Sequence, residues 1–116
     1  MPTLTKQEIL AAEDLKRETV EVEAWGGAVV VSEMSANTRM EWEAVAFDAD
    51  GKPIPDGWKS RLVAACVVDD AGERMFSNDE IAELGRKSDS AITTIYRAAA
   101  ALNGIGPKAK EDAEKN

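Results

Sequence analysis

The chain has no histidine, one cysteine and only 5% aromatic residues. Without histidine the commonest general base and metal ligand is missing, and no Ser-His-Asp or Cys-His arrangement can form. A single cysteine rules out a disulfide framework within the chain. Cys66 stands in the apolar run LVAACVV, where a thiol reads as a small core residue rather than a nucleophile. No apolar stretch approaches the ~20 residues that cross a bilayer. The start, MPTLTKQEIL, lacks the basic-then-apolar order of a signal peptide, so the cytoplasm is the expected compartment. Basic residues are also scarce: 14 Lys and Arg stand against 22 Asp and Glu, a net charge of −8. Nucleic acid and anionic membranes reward clustered cations, so neither is expected as a partner. Solubility or a basic protein partner fits better. Mimicry of nucleic acid would need a dense acidic stripe, and these acids are scattered. Gly26-Gly27 stands without the other glycines or the Lys-Ser/Thr of a phosphate loop.

The 116 residues suit one domain, expected over residues 1–104. Its most strongly patterned stretch is Ser88 to Gly104, SDSAITTIYRAAAALNG. Ile92, Ile95, Ala99 and Leu102 step by three or four and share one helical face. Ser88 is placed to cap the helix start, and Asn103-Gly104 offers a left-handed stop. Beyond it, residues 105–116 carry three basic and three acidic side chains and little apolar bulk, and read as a flexible charged tail.

Upstream, Thr5-Lys6-Gln7-Glu8 is a capping box that opens a helix running to about Arg17. Its apolar contacts, Ile9, Leu10 and Leu15, form only a thin stripe. TVEVEA (19–24) alternates apolar and acidic like a strand with one wet face, and AVVV (28–31) reads as a more buried strand. With Gly26-Gly27 between them they predict a hairpin over about 18–33, with Trp25 packing at the strand end. Ser35 caps a helix over 36–47, with Met40, Ala44, Val45 and Phe47 as its apolar side and Trp42 adding bulk. A Gly-, Pro- and Asp-rich loop covers 48–57. LVAACVV (62–68) suits a central strand, although its start reads equally as helix. Asp69 to Gly72 turns, and Glu73 to Phe76 returns as a second hairpin. Ser77 to Glu80 is another capping box and starts a short helix that holds Ile81 and Leu84 inside and stops at Gly85. The expected fold is α+β: two hairpins forming a small antiparallel sheet with about four helices packed on it. A mainly helical fold with one hairpin is the alternative.

Two acidic groupings invite chemistry. Asp48, Asp50 and Asp56 open like a calcium loop, but no glutamate follows at the required spacing. Asp69 and Asp70 could pass for paired catalytic carboxylates, yet acids at a hairpin tip serve the turn, and nothing nearby would separate their pKa values. No catalytic, cofactor or metal residue is assigned, and the chain is not expected to be an enzyme.

The order TKQEIL, a strand ending in WGG, SEMS before a helix, LVAACVVDDAGERMFS, DEIAELGRKS and an Ala-rich helix ending in LNG resembles the tail assembly chaperones of long-tailed, noncontractile phages and prophages, over roughly residues 3–104. The resemblance implies a binding protein of the host cytoplasm that is absent from the mature virion. It implies the tape measure protein and the tail tube protein as partners, together with self-association. The candidate partner-binding residues are Ile9 and Leu10 on the thin-striped first helix, and Thr93, Tyr96 and Arg97 on the outer side of the 88–103 helix. Unpaired hairpin edges are a third candidate surface. A structural head–tail or tail component of a phage particle, and an acidic inhibitor or nucleic-acid mimic, are the alternatives.

Overall fold

The computed structural model describes residues 1–106. Its centre is a hairpin of β1 (Arg17–Val22) and β2 (Gly27–Ser32), paired antiparallel with Arg17 opposite Ser32 and Val22 opposite Gly27. A 3-10 turn at Glu23–Trp25 and Gly26, at φ 67°, reverse the chain between them. Period-two alternation sends Val20 and Val22 of β1 and Val31 of β2 to the inner face, where all three are buried. A two-residue strand, β3 (Val67–Val68), pairs with Val30 and Val31 and completes a sheet of order β1-β2-β3.

Five helices accompany the sheet among the described residues: α1 (Lys6–Ala11), α2 (Ala36–Ala46), α3 (Trp58–Cys66), α4 (Ile81–Leu84) and α5 (Asp89–Asn103). α5 lies on the inner face of β1 and β2, and α3 packs against α5, α2 and α4. The fold is therefore α+β.

The run LVAACVV changes state partway. Leu62 to Cys66 finish α3, and only Val67 and Val68 are strand. All seven residues are buried. A segment enclosed on every side shows no amphipathic period, so length and neighbours decide, and the lead-in from Trp58 supplies the extra turn of helix. The second hairpin shrinks accordingly. It is held by a single bridge from Val68 to Arg74 and a bond from the Met75 N–H to the Val67 carbonyl, 3.0 Å.

Two turns are built alike. In Asp48-Ala-Asp-Gly-Lys52 and Asp69-Asp-Ala-Gly-Glu73, the first aspartate accepts the backbone N–H groups two and four residues on at 2.9–3.0 Å. Gly51 (φ 77°) and Gly72 (φ 83°) take the left-handed position each turn requires. The Asp48 and Asp69 carboxylates are thus turn formers. The 48–52 turn joins Phe47 to Pro53 by a bridge, which gives order to part of the expected loop.

The other capping expectations hold in place. The hydroxyls of Ser35 and Ser88 accept from the N–H groups of Thr38 and Ala91, and Ser77 with Glu80 forms a capping box. α5 ends in a Schellman motif: the Gly104 N–H reaches the Ala101 carbonyl and the Ile105 N–H the Ala100 carbonyl, with Ile105 packed against the core. The expected flexible tail lies, beyond Gly106, outside the described residues.

Three expectations are corrected. α1 stops at Ala11, and residues 12–16 have no regular structure before β1 begins at Arg17. Glu13 and Asp14 would sit at the negative end of a longer helix dipole, and no buried face offsets that. In α2 the inward residues are Trp42 and Ala46, while Met40 is 70% exposed and Ala44 also faces out. Met40 lies two residues from Trp42, about 200° around the helix, so burying the larger ring turns the methionine out. Trp25, at the strand end, is only partly covered: it is 39% exposed and lies outside the core cluster.

Candidate functional site

The N-terminal arm is the least supported part of the molecule. Residues 1–19 are all exposed, and α1 buries none of its residues. Its first turn is nevertheless well made. The Thr5 N–H donates to Glu8 Oε1 (3.0 Å), and the Glu8 N–H donates to Thr5 Oγ1 (3.2 Å). The Thr5 backbone N–H first, then the Thr5 hydroxyl, hold the Glu8 carboxyl below the ordinary glutamate range. The arm joins the body at Lys16, whose carbonyl accepts from the Glu33 N–H at 2.7 Å. Ile9 (58% exposed) and Leu10 (75%) meet no core residue. They are presented on a preformed helix that buries none of its residues among the described ones.

The outer side of α5 is different. Thr93 Oγ1 accepts from Lys59 Nζ at 3.0 Å, and the Tyr96 hydroxyl accepts from the indole Nε1 of Trp58 at 3.0 Å. Trp58 belongs to an aromatic cluster with Trp42 and Phe47, with ring centroids 5.4–5.8 Å apart in edge-to-face contacts. Tyr96 is half-buried and helps anchor α3 to α5. Arg97 is exposed. Among the described residues no hydrogen bond or ion pair engages the Arg97 side chain, while Thr93 and Tyr96 spend their hydroxyls on α3. Ile9 and Leu10 stand on the arm and the other three on α5, so the five residues do not converge on one site.

The exposed apolar side chains that sequence reading missed are Trp25, Met40 and Met75, the last 50% exposed. A signal existed for Met40: Trp42 and Ala46, four apart, define a second stripe in α2 that competes with the Met40–Ala44 stripe. Trp25 and Met75 lie in short irregular segments, where no period marks a face.

Chemistry is sparse. Cys66 is fully buried, and burial pushes its thiol up to about 12, against a weaker opposing effect of the Asn103 amide 3.5 Å away. That suits a packed thiol and not a nucleophile. Among the described residues, no group of three or more His, Cys, Asp or Glu side chains is arranged to hold a metal ion, and no helix is long and apolar enough to cross a membrane.

No protein-family model matches the chain, and no curated protein matches it in sequence. Among solved structures, the chain is similar to the tail assembly chaperone of bacteriophage HK97. The TM-score is 0.57 and the identity 19%, over 87% of this chain and 95% of that one. The two share a fold across nearly their whole lengths.

Proposed function

We propose that this protein is a phage or prophage tail assembly chaperone, which binds the tape measure protein, helps recruit tail tube subunits around it, and does so without catalysis. The observation that carries the reading is the fold shared with the HK97 tail assembly chaperone over 87% of the chain. The ordered motif set that resembles the same family in sequence supports it independently. The surface is compatible: a net charge of −8 keeps the chain soluble, and an unsupported helical arm offers Ile9 and Leu10 to an apolar partner. Binding of this kind takes place in the host cytoplasm before the particle is complete.

Co-expression with the tape measure protein encoded in the same genome tests this. The tape measure protein should become soluble and co-purify with the chain. A tape measure protein that stays insoluble and uncaptured, beside a soluble and folded chain, overturns the reading.

A further inference from the structure

α3 begins without a side-chain cap. Its N-cap position is Gly57, at φ 72°, which has no side chain to offer the first turn. The first N–H groups of a helix have no partner inside it. The Trp58 N–H finds the Pro55 carbonyl at 3.2 Å. Among the described residues, no backbone or side-chain acceptor meets the N–H groups of Lys59 and Ser60.

The Ser60 side chain is bare as well. It is 8% exposed, and among the described residues no hydrogen bond uses its hydroxyl. A buried hydroxyl without a partner costs stability, so its presence asks for a ligand. This first turn lines a cleft of about 370 Å³ between the start of α3 and the link from α4 to α5. Gly85 lies across from Ser60. A Cβ there would stand 3.5 Å from Ser60 Oγ, so the glycine leaves the hydroxyl uncovered.

The charges at the cleft favour an anion. Lys59 and Lys87 border it, and neither has an ion-pair partner among the described residues. Lys59 is held at the rim by its bond to Thr93 Oγ1. Asp89 is the one acid on the lining, and it sits in the first turn of α5, where it answers that helix's own dipole. On a chain of net charge −8 the cleft is a local positive spot. Bare N–H groups at a helix start, a hydroxyl and two ammonium groups are the donors that a carboxylate takes.

The walls say what carries the carboxylate. A small anion would fill only part of the space, and Pro55, Trp58 and Ile92 line the rest. An acid with apolar bulk beside it, as in a protein segment, uses both parts.

We propose that this cleft binds an Asp or Glu side chain of a protein partner. Its carboxylate caps α3 from outside, accepting from the Lys59 and Ser60 N–H groups and the Ser60 hydroxyl, while an apolar neighbour packs against Trp58. The donors stand on this chain alone. Only the identity of the partner, the tape measure protein, rests on the tail-assembly reading.

Overlapping peptides that span the tape measure protein of the same genome, titrated into the isotope-labelled full chain, test it by amide resonance shifts. At least one peptide should bind and move the Lys59 and Ser60 amides, and changing its acidic residue to the amide should abolish those shifts. Ser60→Ala should weaken the binding roughly fivefold, the worth of one hydrogen bond. Lys87→Glu should weaken it too, by placing a like charge beside the carboxylate. The Ser60→Ala urea midpoint should equal or exceed the wild type, because the hydroxyl has no partner to lose, whereas a serine kept for structure would lower it. Gly85→Ala is a second variant. At φ −64° alanine fits without strain, and its Cβ covers the hydroxyl, so binding should weaken while the midpoint holds. Peptides that leave the Lys59 and Ser60 amides unmoved overturn the inference. So does binding that the amide peptide or Ser60→Ala leaves intact. Shifts of both amides with inorganic phosphate and with no peptide make this a site for a free anion and overturn its assignment to a protein. If no peptide binds while co-expression captures the whole tape measure protein, the cleft is wrong and the tail-assembly reading stands. If co-expression captures nothing either, both fall.

Discussion

Asn103 does three jobs with one amide. Its Oδ1 accepts the Met34 N–H at 2.8 Å, and its Nδ2 donates to the Ala99 carbonyl at 2.8 Å and to Cys66 Sγ at 3.5 Å. It therefore ties the last turn of α5 to the link between β2 and α2 and to the end of α3. In sequence Asn103 was legible only as half of a helix stop, because its partners lie 37 and 69 residues away. Gly104 was legible in full, since a left-handed residue (φ 64°) at a helix end is a local demand. Replacing Asn103 by alanine leaves the part-buried Met34 N–H without its acceptor, and an unsatisfied donor of that kind costs about 1–3 kcal/mol. The Asn103→Ala variant should lose that much stability in urea, through a lower midpoint at an unchanged slope. A midpoint equal to the wild type would mean that water replaces the amide at no cost.

At the scale of elements, what could be read from sequence depended on whether a segment has one wet side. β1 and α5 do, and their periods place Val20, Val22, Ile92 and Ile95 correctly in the core. α3 has none, so LVAACVV looked the same as strand or helix. The turns were legible too, because Asp and Gly at fixed spacing satisfy their own backbone. α1 shows the converse. Its capping box fixes where it starts, but with no core beneath it nothing sustains the helix past Ala11. The candidate site divides the same way: the thin stripe of Ile9 and Leu10 marked them as poorly covered, whereas the bonds that occupy Thr93 and Tyr96 come from α3 and leave no local trace. Because α1 buries nothing, deleting residues 1–11 should change the unfolding free energy by no more than ~0.5 kcal/mol. Urea melts of the truncated and full chains check this directly. A loss well beyond that would show that the arm packs on the body. If the arm carries the partner surface, the same truncation should abolish co-purification of the tape measure protein while the melt is unchanged.

For the molecule as a whole, the distribution of bare apolar side chains bears on whether it joins a permanent particle or only visits one. Met1, Leu4, Ile9 and Leu10 stand on the arm, Leu15 and Trp25 at the two ends of β1, Met40 on α2 and Met75 after the second turn. They come from separate elements rather than from one face. Obligate interfaces commonly bury ~2,000 Å² or more and resemble a core cut in half, and a chain built for one would show such a face when alone. Scattered single contacts on an acidic, soluble surface suit binding that must later be undone. A chaperone releases its client, whereas a connector or tail subunit keeps its neighbours. Quantitative mass spectrometry of purified virions separates the two. The chain should be absent from particles that contain the tube and tape measure proteins, while lysates taken during assembly hold it in complex with the tape measure protein. Stoichiometric amounts in the finished particle would make it a structural subunit, and the scattered apolar residues would then have to be covered by several neighbours at once.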